Sequence, residues 1–421
     1  MNEGNIIAFH NPEAGVEDPL TELLRSGAQR LLEQAVDAEV RELLGRYAGE
    51  NDARGRAAVV RNGHLPAREI LTGIGPVQVE VPKVRSRTET PVVFHSALVP
   101  PYVRKAKSVE AALPWLYLKG ISTGQMQEAL SVLVGPEAKG LSAGVVSRLK
   151  TAWCAEYTTW RQRRLDQDRW VYVWVDGIYG GLRAESHRLC VLVVIGVNER
   201  GEKHFLAIED GVRESTQSWR EVLLKLKARG LVRPPKLAIG DGALGFWAAL
   251  DEVYPETRPQ RCWVHKTANV LNYLLKSVQP KAKQALQEIW MAATRKEAYR
   301  AFDLWVDTYQ VKYPKATECL SKDRDALLAF YDFPAEHWPH IRTSNPIESS
   351  FATIRHRTAQ TQGSCSRETL LTMMFKLGMC AEQRWRRIRG FHYLAKVITG
   401  VRFKDGIEES ENDLQDSRSA A

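Results

Sequence analysis

Long apolar runs are absent from this sequence, and the longest one extends only from Leu189 to Val197. A helix needs about 20 apolar residues to cross a bilayer, so no membrane-spanning segment is expected. Neither end carries an apolar segment bounded like a signal peptide, and we therefore expect a protein that stays in the cytoplasm. These absences argue against membrane proteins and secreted proteins.

Cysteine is also scarce, because the 6 cysteines are scattered and no two of them form a C-x2-C pair. In an intracellular chain this pattern favours free thiols over a disulfide framework. A structural zinc site needs four ligands, and only Cys262 and His265 have ligand-like spacing. A zinc site is therefore not expected.

Acidic side chains are in deficit only in the middle of the chain. Residues 1–55 contain 5 Lys and Arg against 11 Asp and Glu, and residues 405–421 contain 1 against 6. Residues 56–404 consequently contain 53 basic against 33 acidic side chains, a net charge of +20. A basic body between acidic ends fits a polyanionic partner such as DNA, although many basic proteins never bind nucleic acid.

The first 55 residues predict an acidic helical region. Apolar side chains recur at spacings of three and four between Leu20 and Leu44, so one face of the helix must be buried. Either a second subunit or the rest of the same chain would bury that face. The pattern leaves open whether the contact is a dimer interface or an internal one.

Two further modules are predicted before the first long apolar strand. Residues 56–105 are rich in arginine and alternate apolar and polar side chains at 77–81, which is typical of a small basic β-rich module. Residues 106–165 return to helical spacing broken by glycine-containing turns, which indicates a helix-turn-helix-like DNA-binding domain. Arg148 and Lys150 would then reach a DNA groove, although plain helical packing produces the same pattern.

Strand patterns begin at Trp170. Three β-rich runs are followed by alternating helix and strand, which predicts an α/β fold with a mixed sheet of the RNase H-like kind. We expect residues 166–265 to form the first part of this core, residues 266–335 an all-helical insertion, and residues 336–404 the second part. Residues 405–421 are expected to be an acidic, disordered tail.

Two aspartates close apolar strands. Asp176 ends one such run and is followed by Gly177, and Asp241 ends another and is followed by Gly242. Ligands bind at this end of the strands in α/β folds, so carboxylates on neighbouring strands would converge. Two adjacent anions repel each other unless a divalent cation lies between them, and phosphoryl transfer by two metal ions gives a reason to keep them together. For either aspartate alone, a turn or a helix cap is the better explanation, and the matched context of the pair reverses that preference.

A third carboxylate, Glu348, follows the predicted insertion. It stands three residues after Asn345, which is the spacing of a capping box, so closing the start of a helix explains it without any metal. Arg355 and Arg357 follow two to three helical turns later. A carboxylate at one end of a helix with basic groups beyond it suits a phosphate that enters beside a metal ion.

The last part of the chain before the acidic tail is strongly basic. Residues 342–404 hold 12 Lys and Arg against 3 Asp and Glu, and residues 384–389 alone hold four of these arginines. Arginine pairs with phosphate and stacks on bases, so this segment predicts contact with nucleic acid. A solvated helix face is the alternative.

Several stretches together resemble the signature of Mutator-type insertion-sequence transposases, a bacterial family with a DDE triad. They are residues 116–123, Asp176-Gly177, residues 241–246, Tyr254-Pro255, Arg258-x-x-Arg261-Cys262-x-x-His265 and residues 342–348. The likeness covers about residues 20–400. The chain departs from the family at Ser344, where threonine is commoner, and the hydroxyl is kept.

The resemblance implies an enzyme that binds the terminal inverted repeats of its own element, cleaves the DNA at the element ends and transfers 3′-OH strands to target DNA. It implies that Asp176, Asp241 and Glu348 form an acidic triad for two-metal-ion phosphoryl transfer, with Mg²⁺ as the cofactor and Mn²⁺ as a substitute. It also implies that Cys262 and His265 lie near the active site and order the DNA.

Further expectations follow from the same resemblance. Trp290 in the helical insertion would stack on a displaced base. Double-stranded DNA is the expected partner, as terminal repeats and as target, in the cytoplasm at the nucleoid and without a membrane. A homodimer is expected because two ends must be brought together. A structure-specific RNase H-like nuclease or resolvase, and a non-enzymatic DNA-binding regulator, remain the alternatives.

Overall fold

The chain splits into two units, Met1–Leu149 and Lys150–Ala421, with the boundary inside one helix. The computed structural model describes residues 19–109, 143–181, 189–242, 244–344 and 366–409, and the isolated positions 112, 116, 121, 130 and 354. Three predicted site residues, Glu348, Arg355 and Arg357, lie outside the described residues. About half of the predicted helix-turn-helix-like segment and most of the acidic tail lie outside them as well.

The first unit contains a long helix and two small antiparallel sheets. Its elements are α1 (Pro19–Arg46), β1 (Val59–His64), β2 (Arg68–Thr72), β3 (Gly75–Val79) and β4 (Pro82–Ser86). β1 pairs with β4, and β2 pairs with β3. The acidic region therefore contains a helix and the following segment contains strands, and the roles predicted for them in dimerisation and DNA binding stay predictions.

Only part of the apolar face of helix α1 is buried within the first unit. Val36 and Val40 are buried in one core with Val77 and Val79 of β3. Leucines in the first half of the helix are exposed instead, and the exposed fraction of Leu23 is 68%. The internal contact that the sequence left open is therefore made by the second half of the helix.

The second unit is built on a five-stranded mixed sheet. Its strands are β5 (Trp170–Gly180), β6 (Leu189–Asn198), β7 (Lys203–Gly211), β8 (Leu237–Gly240) and β9 (Arg258–Arg261). Their order is β7-β6-β5-β8-β9, in which the first three strands are antiparallel and β5, β8 and β9 are parallel. Every residue of β6 is buried, as expected for a central strand rich in valine. The predicted α/β fold with a mixed sheet is confirmed.

Helices follow and surround these strands. In chain order they are α2 (Ala143–Arg161), α3 (Thr216–Ala228), α4 (Leu244–Val253), α5 (Trp263–Leu271), α6 (Gln279–Met291), α7 (Arg295–Tyr309), α8 (Pro314–Ser321), α9 (Arg324–Leu327), α10 (Trp338–Ile341), α11 (Arg367–Glu382) and α12 (Leu394–Thr399). α3 and α4 meet through Trp219 and Phe246, whose ring centroids are 5.1 Å apart. α11 packs on β7, where Gly378 lies against Phe205. A short hairpin of β10 (Phe403–Lys404) and β11 (Ile407–Glu408) follows α12. None of the helices in the described residues is long and apolar enough to cross a membrane.

The region predicted as an all-helical insertion contains helices α6 to α9. Every residue from 266 to 335 is described, and none of them lies in a strand. Phe302, Trp305 and Tyr331 are buried in this region. α7 starts at a capping box in which Thr294 and Glu297 exchange hydrogen bonds. The insertion therefore has its own buried aromatic side chains and its own helix-start signal.

Strand β9 was not predicted by the sequence. Its residues include Pro259 and no β-branched side chain, a composition that argues against a strand. The strand forms at the sheet edge, where the Gln260 side chain donates to Leu327 O at 3.0 Å and accepts from Phe330 N at 2.8 Å. Hydrogen bonds to the helical insertion thus override the local propensity.

Candidate active site

Asp176 lies on β5, directly after the apolar run that begins at Trp170. Its side chain is buried, and its Oδ1 accepts a hydrogen bond from Gly177 N at 2.8 Å. β5 continues beyond Asp176 and pairs with β6 as far as Gly180. The carboxylate is therefore held by the sheet itself rather than by a loop.

Asp241 directly follows β8, the parallel neighbour of β5. The register pairs Trp174 with Ile239, so two more residues along each strand bring Asp176 opposite Asp241. Neighbouring strands lie about 4.8 Å apart, and residues at matched positions share one face of the sheet. Arg261 Nη1 donates to Asp241 O at 2.9 Å and fixes the peptide just beyond the strand. The sheet thus brings the two aspartates together.

Cys262 and His265 lie at the start of α5, beside this pair. Cys262 N donates to Gly240 O at 2.8 Å. Its sulfur accepts a hydrogen bond from Ser344 N at 3.2 Å, and Ser344 Oγ lies 3.2 Å from the same sulfur and 3.3 Å from His265 Nδ1. One cysteine therefore links the end of β8 to the segment that contains Ser344.

The hydrogen bond with Cys262 is the largest influence that raises the pKa of His265 to about 9. Burial opposes this shift, and the negative charges of Asp176 and Asp241 add to it. Burial raises the pKa of the Cys262 thiol, but the hydrogen bonds and charge of His265 and a hydrogen bond with Ser344 together hold that pKa below its ordinary value. A protonated imidazole at neutral pH follows, and its charge offsets part of the repulsion between the carboxylates.

Glu214 is a further carboxyl group at this edge of the sheet, and sequence reasoning missed it. β6 is antiparallel to both β5 and β7, so β7 runs in the same direction as β5. β7 ends at Gly211, three residues before Glu214. The Tyr179 hydroxyl donates to Glu214 Oε1 at 3.0 Å. Burial raises the pKa of Glu214, and the negative charge of Asp241 adds to this shift. The one available signal was an acidic residue shortly after a strand that returns parallel to β5.

Two glycines make room for Glu214. A Cβ atom at Gly177 would lie 2.5 Å from Glu214 Cδ, and one at Gly245 would lie 2.7 Å from Ser215 C. Arg213, the preceding residue, has a φ of 62°, a left-handed conformation that residues other than glycine rarely adopt. The left-handed backbone at Arg213 and the space left by the two glycines therefore allow Glu214 to lie against Gly177, the residue after Asp176.

Trp290 of the helical insertion lines a cavity of about 300 Å³ together with Trp263 and Gln287. The Arg342 guanidinium lies 4.6 Å from the centre of the Trp290 ring, and Arg342 Nη1 donates to Trp290 O at 3.0 Å. The cation–π contact and the hydrogen bond fix the orientation of the ring. The cavity is at the lower end of the size range for small-ligand pockets.

Comparison with known proteins connects these features to a family. The sequence profile of the Mutator family of transposases matches residues 6–387. The chain belongs to the Mutator family of transposases. It is 54% identical over 296 residues to the transposase for insertion sequence element IST2 of Acidithiobacillus ferrooxidans. The matched residues cover 70% of this chain and 100% of that protein. It is 46% identical over 294 residues to the transposase for insertion sequence element IS6120 of Mycolicibacterium smegmatis, which covers 70% of this chain and 90% of that protein.

The family that the sequence motifs indicated is thereby confirmed for this transposase. Among solved structures, the Drosophila P element transposase strand transfer complex is similar over 70% of this chain and 91% of that chain, at 10% identity and a TM-score of 0.23. A TM-score this low carries no argument about the fold. The sequence matches alone establish the family.

The two aspartates of the transposase have the donor chemistry of a divalent metal site. Carboxylate oxygens are the ligands that Mg²⁺ prefers, and Asp176 and Asp241 offer them on adjacent strands. Within the part of the chain that the structure describes, no group of three or more His, Cys, Asp or Glu side chains is placed to hold a metal ion. Glu348, the third expected ligand, lies outside that part.

The remaining predicted DNA-binding residues of the transposase are only partly described. Arg148 and Lys150 both lie on α2, where Arg148 is exposed and Lys150 is half-buried. Arg355 and Arg357 lie outside the described residues. The DNA contacts of all four residues therefore stay predictions.

Proposed function

We propose that this transposase binds the terminal inverted repeats of an insertion sequence, cleaves the DNA at the element ends and transfers the 3′-OH strands to target DNA. The observation that carries the proposal is the parallel register that brings Asp176 opposite Asp241 in a member of a transposase family. Three antiparallel strands followed by two parallel ones, with a helical insertion before the expected third carboxylate, support an RNase H-like core.

Asp176 and Asp241 would hold Mg²⁺, or Mn²⁺ as a substitute, together with Glu348. When bound, two such ions supply charge stabilisation at the reacting phosphorus and lower the pKa of an attacking water. The chain itself keeps one carboxylate fixed, because Asp176 is buried and accepts a hydrogen bond from Gly177 N at 2.8 Å. End cleavage by water and joining by a 3′-OH are both in-line displacements at phosphorus, so one set of carboxylates can serve both.

Cys262 and His265 would order the DNA and the third carboxylate, without zinc. Their contacts with Ser344, at 3.2 and 3.3 Å, hold the segment that leads to Glu348 four residues later. A protonated His265 offers positive charge to a phosphate that approaches the two aspartates. Cys262 supports this charge because its hydrogen bond contributes most to the raised pKa of His265.

Double-stranded DNA is the proposed partner, as terminal repeats and as target, at the nucleoid in the bacterial cytoplasm. The strongly basic middle of the chain supports a phosphate-rich ligand. Phosphate contacts would position the duplex, and an aromatic ring would stack on a displaced base. The side chains proposed for these contacts are Arg148, Lys150, Trp290, Arg355 and Arg357.

A homodimer would bring the two element ends together. The first half of α1 supports this state, because Leu20, Leu23 and Leu31 have exposed fractions of 62%, 68% and 67%. Burying apolar surface contributes about 25 cal/mol for each Å², so a second copy that covers these leucines would be stabilised. Sedimentation of the full chain measures this state directly.

Incubation with labelled element ends, a target plasmid and Mg²⁺ tests the proposed reaction. We expect both cleaved ends and labelled strands joined to the plasmid, and we expect neither product when EDTA removes the metal. Cleavage of branched DNA without any joining would indicate a structure-specific nuclease or resolvase instead. Binding without cleavage would indicate a DNA-binding regulator. The DNA that flanks the coding sequence supplies the inverted repeats for the substrate.

A further inference from the structure

The segment after α11 follows a fixed path across the β6–β7 hairpin. We term residues 384–389 the Arg-rich loop. Ile388 N donates to Gly201 O at 3.0 Å, and Arg389 N donates to His340 Nε2 at 3.0 Å. These bonds join the loop to a turn of the sheet and to α10, so its backbone is anchored at two separate places.

Side chains anchor the Arg-rich loop as well. The Trp385 and Phe205 ring centroids are 4.9 Å apart, and Ile388 is 1% exposed. Lys203 Nζ donates to Arg386 O at 2.8 Å. A loop that is ordered before it binds loses little conformational entropy on binding.

The apolar side chains point inward, and the arginines point outward. Arg384, Arg386, Arg387 and Arg389 are all exposed. Arg387 pairs with Glu202 at 2.9 Å, and no carboxylate of the described residues lies within 4.0 Å of the other three guanidinium groups. The last three arginines border a surface groove of about 630 Å³. The loop therefore presents fixed positive charge that the described residues only partly neutralise.

The Arg-rich loop lies on the same sheet face as Asp176. Trp174 is two residues before Asp176 and shares its face, and its Nε1 donates to O of His340, the residue that also contacts the loop. The hairpin turn that contains Gly201, the acceptor of the Ile388 hydrogen bond, lies beside Trp170, six residues before Asp176. At about 3.3 Å per residue, Trp174 is about 7 Å and Trp170 about 20 Å from Asp176 along the strand.

We propose that the Arg-rich loop binds backbone phosphates of duplex DNA about two to six base pairs from the phosphate that reacts at Asp176 and Asp241, since base pairs follow at about 3.4 Å. The proposal rests on the proposed DNA cleavage by this transposase. Arginine pairs with phosphate in a bidentate geometry, and such contacts position DNA without reading its sequence. Trp385 is half-buried and packs on Phe205, which favours contacts of the arginines with a duplex backbone over stacking of this ring on unpaired bases.

The dependence of DNA affinity on salt tests the proposal. The full chain binds a labelled duplex of the element end in a fluorescence anisotropy titration at several NaCl concentrations. Each phosphate that a protein cation neutralises contributes about 0.9 to the slope of log affinity against log salt. Substituting Arg386→Gln and Arg389→Gln together should therefore lower the slope by about 2. Arg386→Lys with Arg389→Lys should retain it, because the charges remain.

A matched control removes two charges elsewhere in the same unit. Lys315 and Lys322 are exposed in the helical insertion, and Lys315→Gln with Lys322→Gln should leave the slope unchanged. Neutral methylphosphonates can replace the DNA phosphates at two to six base pairs from the cleavage point. This replacement should lower the DNA affinity of the wild type and leave the affinity of the variant with Arg386→Gln and Arg389→Gln unchanged. Equal slopes for the wild type and that variant would overturn the proposal. If the wild type binds the duplex but never cuts it, the proposed function fails while the test of the loop still stands.

Discussion

Gly245 is the second residue of α4, and the position of Glu214 depends on it. An alanine Cβ at this position would overlap Glu214 O and lie 2.7 Å from Ser215 C. Both are main-chain atoms at the start of α3, where the Ser215 side chain accepts a hydrogen bond from Ser218 N at 3.2 Å. A capped helix start cannot rotate away as a flexible side chain would. We therefore expect Gly245→Ala to destabilise the second unit.

The expected loss of stability can be worked out from opposing effects. Forcing a methyl group into a packed contact costs about 1–3 kcal/mol. Alanine is favoured over glycine by at most about 1 kcal/mol in a helix, and by less in the first turn. A net loss of about 0.5–2.5 kcal/mol remains, and the Tm of a unit of this size should fall by about 1–5 °C.

Gly242→Ala is the matched control, three residues away in the same unit. A Cβ at Gly242 would meet no atom within 4 Å. Alanine there should change stability by less than about 1 kcal/mol, in the stabilising direction, because it restricts the unfolded chain. Thermal unfolding of both variants, followed by calorimetry on the full chain, measures the difference. Equal Tm values for the two variants would refute the argument that Gly245 makes room for the Glu214 backbone.

Other substitutions test the electrostatics. In Cys262→Ala, the pKa of His265 should fall from about 9 towards its ordinary value of 6.5, because the hydrogen bond that raises it most is lost. NMR titration of the imidazole measures this pKa. An unchanged pKa would show that the carboxylates cause the shift. Lys266 is buried and pairs with Asp323, so Lys266→Ala should cost about 1.5–3 kcal/mol in denaturant unfolding, because among the described residues Asp323 then keeps only its 3.3 Å contact with Arg261 Nε. The exposed ion pair of Arg220 is the control, and Arg220→Ala should cost about 1 kcal/mol or less. Similar costs for the two would contradict the burial argument.

The sheet and its first two aspartates were within reach of sequence reasoning. The strands β5 and β6 are long runs of valine and other apolar residues, and such runs specify buried strands locally. Asp176 and Asp241 interrupt or follow those runs, so their position at the sheet edge follows from the strands. Their pairing required one further step, because only the parallel register of β5 and β8 sets them side by side.

The rest of the site depends on tertiary contacts that no local pattern encodes. Glu214 comes to the edge through a strained Arg213 and through space left at two glycines. Gln260 stabilises β9 by bonds to residues about seventy positions later in the chain. Arg342 covers one side of the Trp290 ring, which the sequence could not indicate because the two residues are far apart in the chain.

Cleavage of a labelled element end by Asp176→Asn, at saturating DNA and with Mg²⁺, bears most directly on the role of the two aspartates. Several kcal/mol of transition-state stabilisation would be lost, so cleavage should fall by about 10³-fold while DNA binding is retained. Asp251→Asn, which alters an exposed carboxylate on α4, should cleave at the wild-type rate. If Asp176→Asn binds element ends and still cleaves them at the wild-type rate, the aspartate pair is not the catalytic centre.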